Sequence, residues 1–157
     1  MVSTVSAMDP FTKETDMSDA LKLTEAHNRA FNDRAWHRGA EIYSPDLVTE
    51  EPGGIVIHGI DAFLAYAKTL SDAFPDSRIE VLGITVEGNR AVVEGTLRGT
   101  HTGPLASPQG VVPPTGRPLA LRFCETFEVE AGRIATHRAY FDQMEFAQQL
   151  GLIPVTA

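Results

Sequence analysis

The chain has 157 residues and a formal charge of −8 at neutral pH, which fits one domain able to bury a core without staples. The acidic balance disfavours nucleic acid or an anionic membrane as partner, and a single cysteine, Cys124, excludes an internal disulfide framework. No stretch approaches a membrane span, and the first residues carry no basic leader with an apolar core, so a cytoplasmic protein is expected.

Met1 to Asp16 is rich in Ser, Thr and acid, contains Pro10 and shows no sustained period. It is expected to form a flexible extension before one domain spanning residues 17–157. Ser18 is a suitable N-cap for a helix through Asp33, with Leu23, Ala26, Ala30 and Phe31 on one apolar stripe. A second short helix is expected over Arg34 to Tyr43, with Trp36, Ala40 and Tyr43 on a common side and Ser44-Pro45-Asp46 closing it. Two extended pieces flank Pro52-Gly53-Gly54. A third helix follows from about Gly59–Asp61 to Ala73, its stripe set by Phe63, Leu64, Ala67 and Leu70.

The second half reads as sheet. Arg78 to Glu87 and Arg90 to His101 are strands joined by Gly88-Asn89, and the Pro/Gly-rich run from Thr102 to Gly116 reads as a lid or interface loop. In the stretch from Pro118 onward, Leu119, Leu121, Phe123, Phe127 and Val129 alternate, and Ala131-Gly132 turns the chain into a second strand ending at Phe141. Asp142 and Glu145 have capping-box spacing for a last helix through Leu150. The expected fold is therefore α+β, with two or three N-terminal helices packed against a strongly curved, mainly antiparallel sheet and a cavity between the layers.

One acid, Glu125, shares the apolar face of its strand, and a carboxylate among hydrophobes needs a partner, water or a function. His137 lies on the following strand, so a Glu125–His137 acid/base pair is a natural arrangement, with a structural hydrogen bond as the plain alternative. His101, at a strand end before the loop, is the third catalytic candidate. Trp36, Tyr43, Glu50, His58, Phe123 and Phe127 are candidates for lining a substrate pocket, whereas His27 reads as structural or exposed. There is no HExxH, no cysteine pair, no GxGxxG and no nucleophile elbow. No metal or cofactor is expected, which leaves cofactor-independent chemistry or plain binding of a small hydrophobic molecule.

Several pieces in order and spacing carry a resemblance: Ala30-Phe31-Asn32, His58-Gly59, His101-Thr102-Gly103, Pro114-Thr115-Gly116-Arg117, Gly132-Arg133-Ile134 and Gln149-Leu150-Gly151. Over roughly Ser18 to Leu152 the chain resembles the SnoaL-like polyketide cyclases of the nuclear-transport-factor-2-like (NTF2-like) and ketosteroid-isomerase-like superfamily. The resemblance implies an NTF2-like cone, a homodimer and a pocket inside the curved sheet. It also implies an intramolecular aldol closure of a polyketide ester, without metal or cofactor. Matched strand to strand, Glu125 falls where those cyclases have the pocket histidine. Ala139 falls on their principal catalytic aspartate, and a methyl group transfers no proton. Alternatives are hydroxylation-associated or epoxide-hydrolase-like chemistry, or a noncatalytic binding or interaction module.

Overall fold

The computed structural model describes residues 12–155, with side chains from Asp19 onward. Most of the expected extension, residues 1–11, lies outside the described residues. Helix α1 (Thr12–Asn32) begins before the Ser18 cap position and ends at the Asn32-Asp33 break. The expected second helix is split: a 3-10 turn over Trp36–Arg38 leads into the short α2 (Gly39–Ile42). Tyr43 then opens a strand, β1 (Tyr43–Glu51), which turns at Gly53 and Gly54, both at positive φ, into β2 (Ile55–His58). Helix α3 (Ile60–Ala73) follows.

The remaining strands are β3 (Arg78–Glu87), β4 (Arg90–Thr100), the small hairpin β5 (Leu105–Ser107) and β6 (Gly110–Val112), β7 (Pro118–Glu130) and β8 (Arg133–Phe141). The run expected as a lid or interface loop thus carries a small hairpin. Helix α4 (Gln143–Gln149) starts at Asp142, whose side chain accepts from the Met144 and Glu145 N–H groups at 2.8 and 3.1 Å.

Helices pack on one six-stranded sheet of order β2-β1-β8-β7-β4-β3. The α+β, NTF2-like architecture is the expected one, but the strongly curved cone is not. The sheet is mixed and open: β1 runs parallel to β8, and the edge strands β2 and β3 do not meet. Register irregularities in three strand pairs bend it only locally. Alternation along a strand fixes which face is buried; how far the sheet bends depends on bulges and cross-strand packing, which alternation does not encode.

Two apolar clusters fill the space between the layers. One gathers Ile42, Tyr43, Leu47, Phe63, Val93, Phe127 and Ile134; the other gathers Phe31, Phe74, Leu97, Leu119, Leu121 and Leu150. The outward face of the sheet mixes polar and apolar side chains: Val56 and Tyr140 are exposed there, and Arg138 is set between Glu50 and Glu128 at 3.2 and 3.3 Å.

Candidate functional site

The antiparallel register of β7 and β8 places Glu125 opposite Ala139 and Phe127 opposite His137. Glu125 and His137 are therefore diagonal neighbours on the inner face, within side-chain reach. Glu125 Oε1 lies 3.3 Å from His137 Nε2, and Oε2 lies 3.6 Å from the Nε2 of His27, which α1 delivers from the opposite layer. Phe127 holds both rings, stacking on His137 at 5.0 Å and meeting His27 edgewise at 4.8 Å. The outer nitrogens are also accompanied: His27 Nδ1 is 2.7 Å from the Tyr43 hydroxyl, and His137 Nδ1 is 4.0 Å from Glu51 Oε1.

These contacts are charge approaches more than aligned hydrogen bonds. Glu125 Oε2 and both nitrogens of His137 are buried without a hydrogen-bond partner. Burial pushes the Glu125 carboxyl up, but the His137 and His27 imidazoles oppose it by more and hold it below the usual carboxylate range. Burial pushes His137 down, and Glu125 offsets this only in part. Glu51 is pushed up to about 8 by burial and by the Glu125 charge, against the lowering effect of the nearby Tyr66 hydroxyl. Burial and the Glu125 charge raise Tyr43, so its phenol stays protonated. Two carboxyl groups flanking one imidazole are thus driven apart in acidity, the arrangement from which an acid and a base can be drawn.

Two spaces adjoin the cluster. An interior cavity lined by His27, Trp36, Tyr43 and Phe63 among others holds about 20 Å3, on the order of one water. A more open cleft of about 250 Å3 is lined by Glu50, Glu51, Gly53, Arg138, Ala139 and Tyr140 among others, with Glu51 the one member of the cluster that borders it.

Of the sequence candidates, Glu125 and His137 come together with Tyr43 and Phe127 close by. His101 does not join them. Val93 pairs with Glu125, and His101 lies past the far end of β4, roughly 25 Å on at about 3.3 Å per residue. There His101 is buried, tilted against Phe74 at 5.2 Å, and its Nδ1 accepts from the Thr115 N–H at 3.2 Å. Trp36 lines the interior cavity, whereas Phe123 lies along a separate cleft with Leu82 and Arg122. Glu50 points outward to Arg138, and it is Glu51 that turns inward. His58 is exposed on β2, paired with Val48. Sequence reading sets His27 aside as structural or exposed; of the adjacent Glu50 and Glu51 it allows only one to point inward, and it names Glu50. For His27 a signal was present: Ala20, Thr24, His27 and Phe31 follow one another at helical four-and-three spacing, and all four are buried.

The profile of the family described as SnoaL-like polyketide cyclase matches residues 21–150. No curated protein matches the chain. Among solved structures, a candidate SnoaL-like polyketide cyclase from Jannaschia sp. CCS1 is similar at TM-score 0.76 and 21% identity, covering 96% of this chain and 100% of that one. AclR, a candidate hydroxylase from Streptomyces galilaeus, is similar at TM-score 0.75 and 23% identity, covering 90% and 86%. IdmH, a candidate polyketide cyclase from Streptomyces antibioticus, is similar at TM-score 0.71 and 26% identity, covering 84% and 98%. No helix among the described residues is long and apolar enough to cross a membrane. With the family profile spanning both layers and the whole Glu125 cluster, the chain belongs to the SnoaL-like polyketide cyclase family.

Proposed function

We propose that this chain performs acid/base chemistry on a small hydrophobic carbonyl compound, a cyclisation or isomerisation in which its own side chains move the proton. The observation that carries the reading is the buried Glu125 carboxylate between two imidazoles. The imidazoles keep the carboxylate ionised at neutral pH by holding it below its usual range, and they fix its orientation toward the proton it takes. In this reading Glu125, directly or through His137, removes a proton α to the carbonyl. Glu51, pushed up to about 8 and so protonated at neutral pH, supplies a proton to the developing oxyanion. Ala139 contributes room in place of the acid that the resemblance assigns to its position.

The cleft of about 250 Å3 beside Glu51 and Ala139 supports docking of a small ring compound there, since the interior cavity of about 20 Å3 admits none without opening. That tight interior favours a second reading, a noncatalytic interaction module. The homodimer belongs to the same proposal, and light scattering that gave only a monomer across concentration would contradict it. The function is tested by screening aromatic polyketides and small ketones for conversion, with Glu125→Gln as control. Conversion lost in the variant supports the enzyme; saturable binding without product supports a ligand-binding protein, and neither conversion nor binding supports the interaction module.

A further inference from the structure

We infer that His27, Glu125 and His137 form a binding site for one divalent first-row transition ion, with zinc the best match. Three potential ligand atoms, one from each residue, lie within 4.8 Å of one another, and the residues come from three different elements, α1, β7 and β8. The distances favour a metal over a shared proton. A charge-assisted hydrogen bond between imidazole and carboxylate closes to about 2.7–2.9 Å, whereas the two approaches to Glu125 are 3.3 and 3.6 Å. Ligands bound to one tetrahedral ion at about 2.0–2.1 Å are separated by roughly 3.3–3.4 Å; the two approaches, one to each Glu125 oxygen, lie close to that spacing, and the three-atom set, within 4.8 Å, needs only a small contraction to reach it.

The orphaned atoms point the same way. His137 Nε2 and Glu125 Oε2 are buried without hydrogen-bond partners, and His137 is 2% exposed. Buried polar groups are otherwise satisfied in folded proteins, so their convergence calls for a bound species. The Tyr43 hydroxyl supports one imidazole from behind, 2.7 Å from His27 Nδ1; the Glu51 carboxyl stands 4.0 Å from His137 Nδ1, beyond hydrogen-bond distance, and would close on it when the ion binds. With the protons on Nδ1, both Nε2 lone pairs face Glu125, and an oxygen behind each ring is the usual support of metal-bound histidine. Two imidazoles and one carboxylate are a recurrent zinc set, which takes a water as its fourth ligand.

The ion and the proposed proton transfer draw on the same Glu125 carboxylate, so a bound ion should suppress that transfer; occupancy and carbonyl turnover are separate measurements, and the failure of one does not decide the other. The test is titration of chelator-treated full-length protein with Co2+ and Zn2+, read by elemental analysis, calorimetry and the visible spectrum of the Co2+ form. The expected result is one ion per chain, with the strong visible absorption of four-coordinate Co2+. His27→Gln and Glu125→Gln should bind at least about 100-fold more weakly, and Glu51→Gln, which keeps all three ligands, about 10–100-fold more weakly. His101→Gln, remote from the cluster, should bind as the unaltered chain does. Absence of saturable binding, an octahedral Co2+ spectrum, or equal affinity in Glu51→Gln and the unaltered chain would overturn the site. The Glu51→Gln comparison and the unaltered chain's spectrum decide the matter even where a ligand variant fails to fold.

Discussion

Ala139 stands directly across the β7–β8 ladder from Glu125, and it lines, together with Glu51, the cleft of about 250 Å3. The position to which the family resemblance assigns an acid is therefore space beside a carboxylate. Ala139→Leu should fill that space without touching the imidazoles. Turnover of any accepted carbonyl compound should fall roughly tenfold or more, since small displacements of a reacting group are costly, while the circular dichroism spectrum stays the same. Unchanged kinetics would place the substrate elsewhere.

Trp36 closes the interior from the other side. It sits on a 3-10 turn that has no buried residue of its own and meets Phe31 edgewise at 5.9 Å. Trp36→Ala should cost about 2 kcal/mol, less than the about 3–5 expected for a fully buried aromatic. It should also enlarge the cavity beside His27 and Tyr43. Indole is then expected to bind saturably by calorimetry to the variant and not to the unaltered chain.

His101 has a structural part in this account. Its backbone N–H donates to the Arg117 carbonyl at 2.9 Å, its own carbonyl accepts from Gly116 at 2.8 Å, and its ring accepts from Thr115. Next to it, the Gly103 N–H donates to the Ala73 carbonyl at 3.0 Å, and a Cβ on Gly103 would collide with the Asp72 backbone carbonyl. The ends of the 101–117 segment are thereby tied to α3 and to each other. His101→Ala should lower stability by about 2–4 kcal/mol, as loss of a buried, hydrogen-bonded side chain does. Thermal unfolding should show this while turnover at a permissive temperature is kept.

Asp76 supplies an acid-side dependence away from the site. Its carboxylate accepts from the Thr100 N–H at 2.7 Å and from the Thr100 hydroxyl at 2.8 Å, and these bonds hold it below its ordinary pKa. A depressed folded-state pKa contributes stability that is fully present above the unfolded value of about 3.9 and is lost as pH falls through the folded one. Asp76→Asn should therefore melt earlier at pH 7, and the difference from the unaltered chain should shrink on acidification.

Much of the sheet was legible because its strands alternate cleanly. Leu119, Leu121, Phe127 and Val129 are buried as their parity requires, and Gly88 and Gly132 turn at positive φ. Glu125 was legible for the same reason, as the one acid in an apolar row. Tyr43 was misplaced because Trp36, Ala40 and Tyr43 also satisfy a helical spacing; β1 recruits Tyr43 through its pairing with Ile134, a contact distant in sequence. Glu50 and Glu51 alternate on one strand, and only its register against β8 decides which turns inward. His27 was passed over because polar residues on a helix are first assigned to solvent, although Thr24 and Asn28 beside it are buried too.

The central claim is that Glu125 is a base poised to take a proton from carbon. The direct measurement is exchange of α-hydrogen for deuterium in small hydrophobic ketones incubated with the protein in D2O, followed by NMR. The unaltered chain should catalyse exchange, and Glu125→Gln, folded to the same circular dichroism spectrum, should be slower by roughly 100-fold or more. No exchange by the unaltered chain, or equal exchange by both, would contradict the account.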